Sequence, residues 1–434
     1  MTARRLAVER LLRVEHEGAH VSRLSSLSDG VDAPTARAAS DYVAGVTRQR
    51  RYLDFLLGGV VRRPLADLDP PLLQSLRVGA YDLVVRGRPP HAAVGEAVAV
   101  VKDMLHRGAA GVANGALRAL ARQLAADALP KPQADSDAGR LAVRHSFPTW
   151  MVRRWVEAFG AEATRNLLVA SNRTPRYGLR LRDGAEARDA ALAALEELGA
   201  DPEPSAWHPA MVTVGRMQPV LRAGWLDGRA AVQDEAAALV VDVLAPTPGL
   251  RVLDAAAAPG GKAVGLALGG AVVTALDVSD AKARLVQRAA DAAGVALTTA
   301  VGDLRTVDLG ETFDSVLLDA PCSGTGVLAK RADLRWNRSP RDLDDLAALQ
   351  SELLDAAARC VAPGGLLVYS TCSVEPEEND RQVNAFLSRH PEFQIEPVGD
   401  RVPEPMRDGD VYRALPHIHA TDGAFAARLR HHPT

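Results

Sequence analysis

The chain has 434 residues, of which 47% are hydrophobic and 24% charged, a composition typical of a globular protein with two or three domains. Three cysteines, no Cys-x-x-Cys pair, no signal-peptide core and no run of about 18 apolar residues exclude a disulfide framework, a cysteine zinc site and a membrane span, and predict a cytoplasmic protein. Residues 1–145 hold 21 Lys and Arg against 15 Asp and Glu, and the remainder holds 30 against 39, which fits either a polyanion partner or an ordinary solvated surface.

Residues 1–128 are predicted to form an all-α domain of six or seven helices. Apolar side chains recur there with the spacing of a single helix face, and Gly and Pro separate the stripes. One such stripe consists of Leu72, Leu73, Leu76, Ala80, Leu83 and Val84. The following segment, 129–145, opens with two prolines and small polar residues, which predicts a linker.

Residues 146–228 mix helical and strand patterns and predict a small α+β unit. An amphipathic helix from Thr149 is expected to end at Gly160. The run Tyr177–Arg182 alternates as a strand does, which puts Arg180 and Arg182 on one face of a sheet.

Residues 229–434 predict an α/β domain with a Rossmann-like, doubly wound parallel sheet. Short apolar runs alternate with loops and helical patterns, and each run ends in Asp or Cys. In such folds ligands bind at the carboxyl ends of the strands. The runs are LRVLD, VVTALD, TTAVGD, FDSVLLDAPC and GGLLVYSTC.

The first of these strands predicts an adenosine cofactor. Asp254 ends the strand, and Pro259-Gly260-Gly261 leads into a helix whose free N–H groups can meet a ligand. Asp277 ends the second strand, where an acidic residue holds a ribose diol, and Asp303 is placed to reach an adenine amine. No pyrophosphate loop G-x-G-x-x-G is present, which disfavours a nicotinamide dehydrogenase and favours S-adenosylmethionine. The alternative is that the glycines only form a tight turn.

Two of the three thiols follow neighbouring strands and predict covalent catalysis. Addition of a thiolate to carbon 6 of cytosine makes carbon 5 nucleophilic towards a methyl group, and an acid near ring nitrogen 3 stabilises the charge that develops. Cys322, Cys372 and the carboxyl group of Asp319 supply these parts, although the residues alone leave open which thiol attacks. Pro376 is expected to begin a helix whose positive end favours a thiolate at Cys372, whereas the negative charges of Glu375, Glu377 and Glu378 oppose it, and the residues alone leave that balance open. Cys360, on a helix, is expected to be structural.

Several motifs, in this order along the chain, resemble the Nop/Sun family of RNA cytosine-5 methyltransferases. They are VQDEAA, LDAAAAPGGK, DAPCSGTGV, DLRW, YSTCSVEPEEND and TDGAFAARL. The N-terminal stretch, with LRVGAYDLVVRGRPPHAAVGEAV, is similar to the NusB-type helical RNA-binding domain. That pairing is typical of the bacterial Sun/Fmu branch, so the resemblance implies methylation of a cytosine in 16S (small-subunit) ribosomal RNA.

The resemblance also implies a role for each site residue. Cys372 adds to carbon 6, Cys322 helps to resolve the adduct, and Asp319 lies where methyl donor and cytosine meet, whereas DNA cytosine-5 methyltransferases use the Pro-Cys position as nucleophile. The S-adenosylmethionine contacts implied are Ala256, Ala257, Ala258, Pro259, Gly260, Gly261, Lys262, Asp277, Asp303 and Asp319. Ala256 and Ala263 depart from the family pattern, but neither position carries a bond-making step.

RNA is the expected partner, and we expect no membrane, no metal and a monomer. Candidate phosphate contacts are Arg153, Arg154, Arg180 and Arg182. His417 and His419 lack an evident third ligand and are interpreted as packing or surface residues. Two alternatives remain: the same chemistry on transfer RNA, and a catalytically silent RNA-binding assembly factor, although the intact set of Cys322, Cys372 and Asp319 disfavours the latter.

Overall fold

The computed structural model describes residues 1–17 and 30–432. Its α-helices are α1 (Ala3–His16), α2 (Ala33–Gly58), α3 (Pro70–Val84), α4 (Pro90–Met104), α5 (Arg107–Ala125), α6 (Asp137–His145), α7 (Thr149–Ala170), α8 (Arg188–Glu197), α9 (Met217–Arg222), α10 (Glu235–Leu244), α11 (Gly261–Leu268), α12 (Asp280–Ala293), α13 (Leu334–Asn337), α14 (Pro340–Arg359), α15 (Asp380–Arg389) and α16 (Pro416–His419). Its strands are β1 (Tyr177–Leu181), β2 (Pro202–Pro204), β3 (Met211–Val214), β4 (Ala230–Val232), β5 (Arg251–Asp254), β6 (Val272–Asp277), β7 (Thr298–Val301), β8 (Phe313–Asp319), β9 (Val361–Thr371), β10 (Phe393–Glu396), β11 (Arg407–Asp408), β12 (Val411–Ala414) and β13 (Ala424–His431). Within the described ranges, no helix combines the length and the apolar character that crossing a bilayer requires.

The described residues divide into two compact units. The first comprises Met1–Asn172 together with Arg331–Asn337, and the second comprises Arg173–Lys330 together with Arg338–Thr434. The motif DLRW therefore belongs to the first unit, although the sequence around it continues in the second. Each unit has its own apolar core.

The first unit is helical throughout its described residues, which confirms the predicted fold class. Between residues 1 and 128 the described part forms α1 to α5, and residues 18–29 lie outside the described residues. Proline occupies the first positions of α3 and α4. Its ring fixes φ near the helical value, and it lacks the N–H group that would have no partner within the helix at this position. The helices enclose a core of leucines that are at most 1% exposed, among them Leu53, Leu56, Leu57, Leu76, Leu83, Leu117 and Leu120.

The segment predicted as a linker contains a short helix. The Ser136 hydroxyl accepts a hydrogen bond from the Gly139 N–H at 3.1 Å and begins α6, which spans the nine residues Asp137–His145. Nine residues are too few for the sequence to display a clear apolar period. The next helix, α7, extends past Gly160, but that glycine interrupts it with a φ of 79°.

The second unit begins with a four-stranded antiparallel sheet in the order β2-β3-β1-β4. Its extent differs from that of the α+β unit predicted over 146–228, because α7 belongs to the first unit and β4 lies after residue 228. Leu179 and Leu181 of β1 point into its core, where they meet Leu195 of α8 and Val212 of β3. Alternation along β1 therefore turns Arg180 to the other face.

The larger sheet confirms the Rossmann-like fold class. Its strand order is β11-β12-β13-β9-β8-β5-β6-β7, and the strands from β9 to β7 run parallel. Beyond β9 the sheet continues with the antiparallel strands β10 to β13. The sequence pattern did not predict these four strands. The parallel strands end at Asp254, Asp277, Asp319 and Thr371, so their polar termini meet at one edge.

Candidate active site

The loop between β5 and α11 forms a cavity of about 170 Å³. Gly260 adopts a φ of 114°, which only glycine tolerates well, and so turns the chain into α11. Predicted cofactor contacts that line the cavity are Ala256, Ala257, Ala258, Pro259, Gly261, Lys262 and Asp319. Gln233 and Asp234, from the quoted motif VQDEAA, line its other side.

Asp254 lies at the base of this cavity with an unusual carboxyl group. It is 1% exposed, and within the described residues neither of its oxygens has a partner in hydrogen-bond geometry. Burial, and then the negative charge of Asp319, raise the pKa of Asp254 from 3.8 to about 7, against the opposing charge of Lys262. A buried carboxyl group without a partner suits a ligand that brings its own N–H donors.

Asp277 and Asp303, expected to bind the ribose and adenine of the cofactor, already hold protein groups. The Asp277 carboxylate accepts from the Ala258 N–H at 3.0 Å and from the Val278 N–H at 2.8 Å, so it shapes the cavity loop. Asp303 accepts from Arg305, whose hydrogen bonds lower the pKa of Asp303 to about 2. Neither Asp lines the cavity itself.

Lys262 and Asp319 form an ion pair at the end of β8. Lys262 Nζ lies 2.6 Å from Asp319 Oδ2, and the Ser370 hydroxyl donates to Asp319 Oδ1 at 2.9 Å. Burial alone would lower the pKa of Lys262, but the charges of Asp319 and, more weakly, of Cys372 raise it. Lys262 therefore remains a cation. The sequence pattern predicted Lys262 only as a cofactor contact.

The two thiols predicted from the strand ends lie side by side. Their Sγ atoms are 3.3 Å apart, and both cysteines are free and partly buried. The hydrogen bond with Cys372, then burial and the nearby negative charges raise the pKa of Cys322 well above its usual range. Either sulfur can donate to the other, so this geometry pairs the two thiols without assigning the nucleophile.

The predicted helix after Cys372 is shorter than expected. Pro376 begins a 3₁₀ turn of three residues that ends at Glu378, and α15 begins only at Asp380. A single turn carries little helix dipole, since that field arises from several aligned peptide groups. The positive charge close to Cys372 is Lys262 instead.

Lys330, a half-buried lysine, connects two of the family motifs, VQDEAA and TDGAFAARL. Lys330 Nζ binds the carboxylates of Asp234 and Asp422, the latter at 2.9 Å. Burial and the charge of Asp234 raise the pKa of Asp422 to about 7. The cluster fixes the loop after β8 to the start of α10 and to the start of β13, and a charge pattern along the chain could not have revealed it.

Arg180 is not placed to bind phosphate, contrary to the prediction. Its side chain is 11% exposed, lies 3.9 Å from Asp242 and packs against Gly265 of α11. Burial lowers its pKa. Arg182, on the same face, lies against Gly294 at the end of α12 but is exposed, as is Arg153 of α7, whereas Arg154 is half-buried.

His417 and His419 lie on the short helix α16 rather than on a strand. The His419 ring accepts from the Leu415 N–H at 2.9 Å and contacts the Pro405 carbonyl at 2.9 Å. Within residues 1–17 and 30–432, no group of three His, Cys, Asp or Glu side chains is arranged to hold a metal ion. Cys360, at the end of α14, points its thiol at the Ala356 carbonyl.

Comparison with known proteins relates all three parts of the chain to one group. Residues 241–430 match the family described as 16S rRNA methyltransferase RsmB/F, residues 1–122 match the NusB family, and residues 147–221 match the ferredoxin-like domain of RsmF/B-like methyltransferases. The crystal structure of PH0851 is similar with a TM-score of 0.80 and 27% identity, and the match covers 99% of both chains.

Two curated relatives match almost end to end. The ribosomal RNA small subunit methyltransferase B of Salmonella arizonae is 34% identical over 433 residues, 98% of each chain. The probable ribosomal RNA small subunit methyltransferase B of Bacillus subtilis is 32% identical over 450 residues, 99% of this chain and 98% of the relative. Agreement of this extent, on a sheet that carries the two thiols at adjacent strand ends, means that the chain belongs to the RsmB/F family of 16S rRNA methyltransferases.

Proposed function

We propose that this protein methylates carbon 5 of a cytosine in 16S ribosomal RNA through a covalent bond between Cys372 and the base, with S-adenosylmethionine as methyl donor. One observation carries the proposal: two thiols with sulfur atoms 3.3 Å apart, one of them in the loop that follows Asp319 of the Lys262–Asp319 pair. Cytosine-5 methylation needs a nucleophile, a second proton-handling group and an acid near ring nitrogen 3. These residues supply all three.

The described residues suit the proposed methyl donor. The buried, unpartnered carboxyl group of Asp254 fits an ammonium group, and the loop Ala256–Lys262 offers backbone that a ligand can approach closely. Bound S-adenosylmethionine would supply an electrophilic methyl group at this edge of the sheet. Asp277 would act mainly by holding the loop, because its oxygens already accept two backbone N–H groups.

Cys372, Asp319 and Cys322 then act on the cytosine ring. Sγ of Cys372, as a thiolate beside the Lys262 cation, bonds to carbon 6, and the electron pair of the C5=C6 bond becomes available at carbon 5. Asp319, in its protonated form, donates a hydrogen bond to ring nitrogen 3 and so stabilises the negative charge that develops there. After methylation a water molecule takes the proton from carbon 5, the electrons of the C5–H bond re-form the C5=C6 bond, and the C6–S bond breaks with its electron pair on sulfur. Cys322, 3.3 Å away, protonates or shields the departing sulfur.

The first unit contributes a concave basic surface suited to RNA phosphates. A cavity of about 930 Å³ is lined by α6, by α7 and by the proline-rich segment that follows α5. Lys131, Arg144 and Arg165 line it, are exposed and have no ion-pair partner among the residues described. Arg140 also lines it but is neutralised by Asp137. We propose these three cations as backbone contacts in place of Arg180.

Bisulfite sequencing of ribosomal and transfer RNA from cells with and without the protein tests the substrate and the position of the methyl group. We expect a cytosine in 16S RNA to be protected from bisulfite only when the gene is present. If the gene-dependent cytosine lies in transfer RNA instead, transfer RNA is the substrate. If every protected cytosine in both RNA classes persists without the gene, the proposal is contradicted.

Single cysteine variants test the covalent step. Cys372→Ala should abolish methylation, because no sulfur reaches carbon 6, and Cys322→Ala should accumulate a protein–RNA adduct that survives denaturant, because release is impaired. Cys360→Ala is the matched control and should keep activity within about twofold. Adduct with Cys372→Ala and none with Cys322→Ala would reverse the two roles.

A further inference from the structure

Glu378 is a fully buried carboxylate at the back of the Cys322 loop. It ends the 3₁₀ turn after β9 and is 0% exposed. Its Oε1 accepts the Ser323 N–H at 2.8 Å and the Gln350 side-chain N–H at 3.0 Å, and its Oε2 accepts the Ser323 hydroxyl. Hydrogen bonds of this kind, with one charged partner, are the stronger ones in proteins.

The hydrogen bonds of Glu378 and Gln350 hold both residues that flank Cys322. Ser323, on one side, is bonded through its backbone and its hydroxyl to Glu378. Pro321, on the other side, accepts at its carbonyl from Gln350 at 2.9 Å, and Gln350 is itself held by Glu378. The short backbone that carries the Cys322 thiol is thus fixed at both ends by one buried group.

The network also reaches the loop that carries Cys372. The Ser323 hydroxyl lies 3.1 Å from the Ser373 hydroxyl, and the Tyr369 hydroxyl donates to the Glu378 carbonyl at 2.6 Å. Ser323, Ser373 and Glu378 are all at most 2% exposed. The negative charge of Glu378 adds to the hydrogen bond with Cys372 and to burial in raising the pKa of Cys322.

We propose that Glu378 is a positioning residue for Cys322, which holds that thiol beside Cys372 and so serves release of the RNA adduct more than its formation. This inference rests on the proposed covalent reaction. Glu378 itself touches neither thiol in hydrogen-bond geometry, so its effect passes through Ser323 and the backbone. Loss of the carboxylate is therefore expected to resemble Cys322→Ala in kind.

The test compares Glu378→Gln with Glu377→Gln. The first keeps the side-chain size but replaces one acceptor oxygen by an amide NH₂, so the single remaining oxygen cannot accept both from the Ser323 hydroxyl and from the Ser323 and Gln350 N–H groups. The second lies in the same turn, and one oxygen of its half-buried carboxylate pairs with the exposed Arg381. We expect Glu378→Gln to lower kcat at least tenfold, to change the KM for RNA less than twofold and to accumulate the denaturant-stable adduct. Glu377→Gln should do none of these.

A second measurement reports the thiol positions without any RNA. Diamide oxidises two neighbouring thiols to a disulfide and is itself reduced to the hydrazine, and a separation of 3.3 Å between sulfurs favours this reaction. In a Cys360→Ser background, the rate of disulfide formation between Cys322 and Cys372 should fall at least tenfold with Glu378→Gln and stay unchanged with Glu377→Gln. Equal rates and no adduct in both variants would overturn the proposal.

Two outcomes separate this inference from the reaction on which it rests. If neither Cys322→Ala nor Cys372→Ala traps an adduct, the covalent reaction fails, but the diamide rates still test the positioning. If Cys322→Ala traps adduct and Glu378→Gln turns over like Glu377→Gln, only the inference fails. Should Glu378→Gln not fold, Ser323→Ala takes its place with the same signs and a three- to tenfold effect, and wild-type behaviour of Ser323→Ala would overturn the inference.

Discussion

At the scale of single residues, Asp254 combines full burial with a lack of hydrogen-bond partners among the residues described. Its pKa is raised from 3.8 to about 7, so between these pH values the folded protein holds a proton that the unfolded chain has lost. The contribution of this group to stability is therefore complete below pH 4 and declines as the pH rises through 7.

Asp254→Asn should consequently stabilise the ligand-free protein at alkaline pH. The shift corresponds to roughly 4 kcal/mol at pH 8, and we expect a gain of about 2 kcal/mol in the free energy of unfolding, because the buried amide still lacks partners. The gain should vanish by pH 5. Urea denaturation at pH 5 and pH 8 measures it, with Asp345→Asn, whose side chain is 70% exposed, as the control. A gain that does not depend on pH would show that Asp254 is ionised throughout.

Some of the site residues are predictable from a pattern along the chain, and others are not. Cys322, Cys372 and Asp319 were predictable because each follows an apolar run that must be a buried strand. The link from Lys262 to Asp319 spans 57 positions and that from Ser323 to Glu378 spans 55, so only folding brings them together. Asp303 was expected to face a ligand, but Arg305 two residues away holds it.

At the scale of elements, the short helix α13 contributes a buried arginine to the first unit. The Arg335 guanidinium donates to the Asn172 side-chain oxygen at 2.8 Å and to the Ser146 and Ser171 carbonyls at 3.2 and 3.1 Å. It also lies 3.8 Å from the centre of the Phe147 ring. Burial lowers the pKa of Arg335, since these partners are neutral. The motif DLRW thus has a structural use that its sequence does not reveal.

Arg335→Ala should destabilise the first unit by about 3 kcal/mol, because it leaves buried carbonyl groups without donors. Differential scanning calorimetry of the full chain should show one thermal transition lowered by several degrees. Arg341→Ala provides the control, since the Arg341 side chain is 89% exposed. Equal melting profiles for the two variants would contradict the account of α13.

At the scale of the whole molecule, charge separates along the chain while the net charge stays near zero. The positive excess of residues 1–145 lies in the first unit, which also contains the basic cavity lined by Lys131, Arg144 and Arg165. Phosphate contacts release counterions, so the affinity for RNA should fall linearly with salt on a logarithmic scale.

Replacing these three cations by Gln should weaken RNA binding at low salt and reduce the slope of log affinity against log salt by about 2, the value for three phosphate contacts on single-stranded RNA. Fluorescence anisotropy over a salt series measures the slope. The control removes the same charge from surface ion pairs, with Gln at Arg284, Arg341 and Arg381. If both triple variants change the slope equally, net charge rather than this cavity determines binding.

The sequence by itself determined the fold class, the parallel strands of the larger sheet and the edge at which the polar residues gather, because apolar periodicity and strand ends are local properties of the chain. It also determined the family, through motifs that keep their order. Four features arise only on folding: the two sulfurs lie 3.3 Å apart, Lys262 pairs with Asp319, Arg180 is largely buried and Glu378 holds the Cys322 loop. These are distances and burials between residues far apart in sequence, and they exist only once the strands and loops have packed.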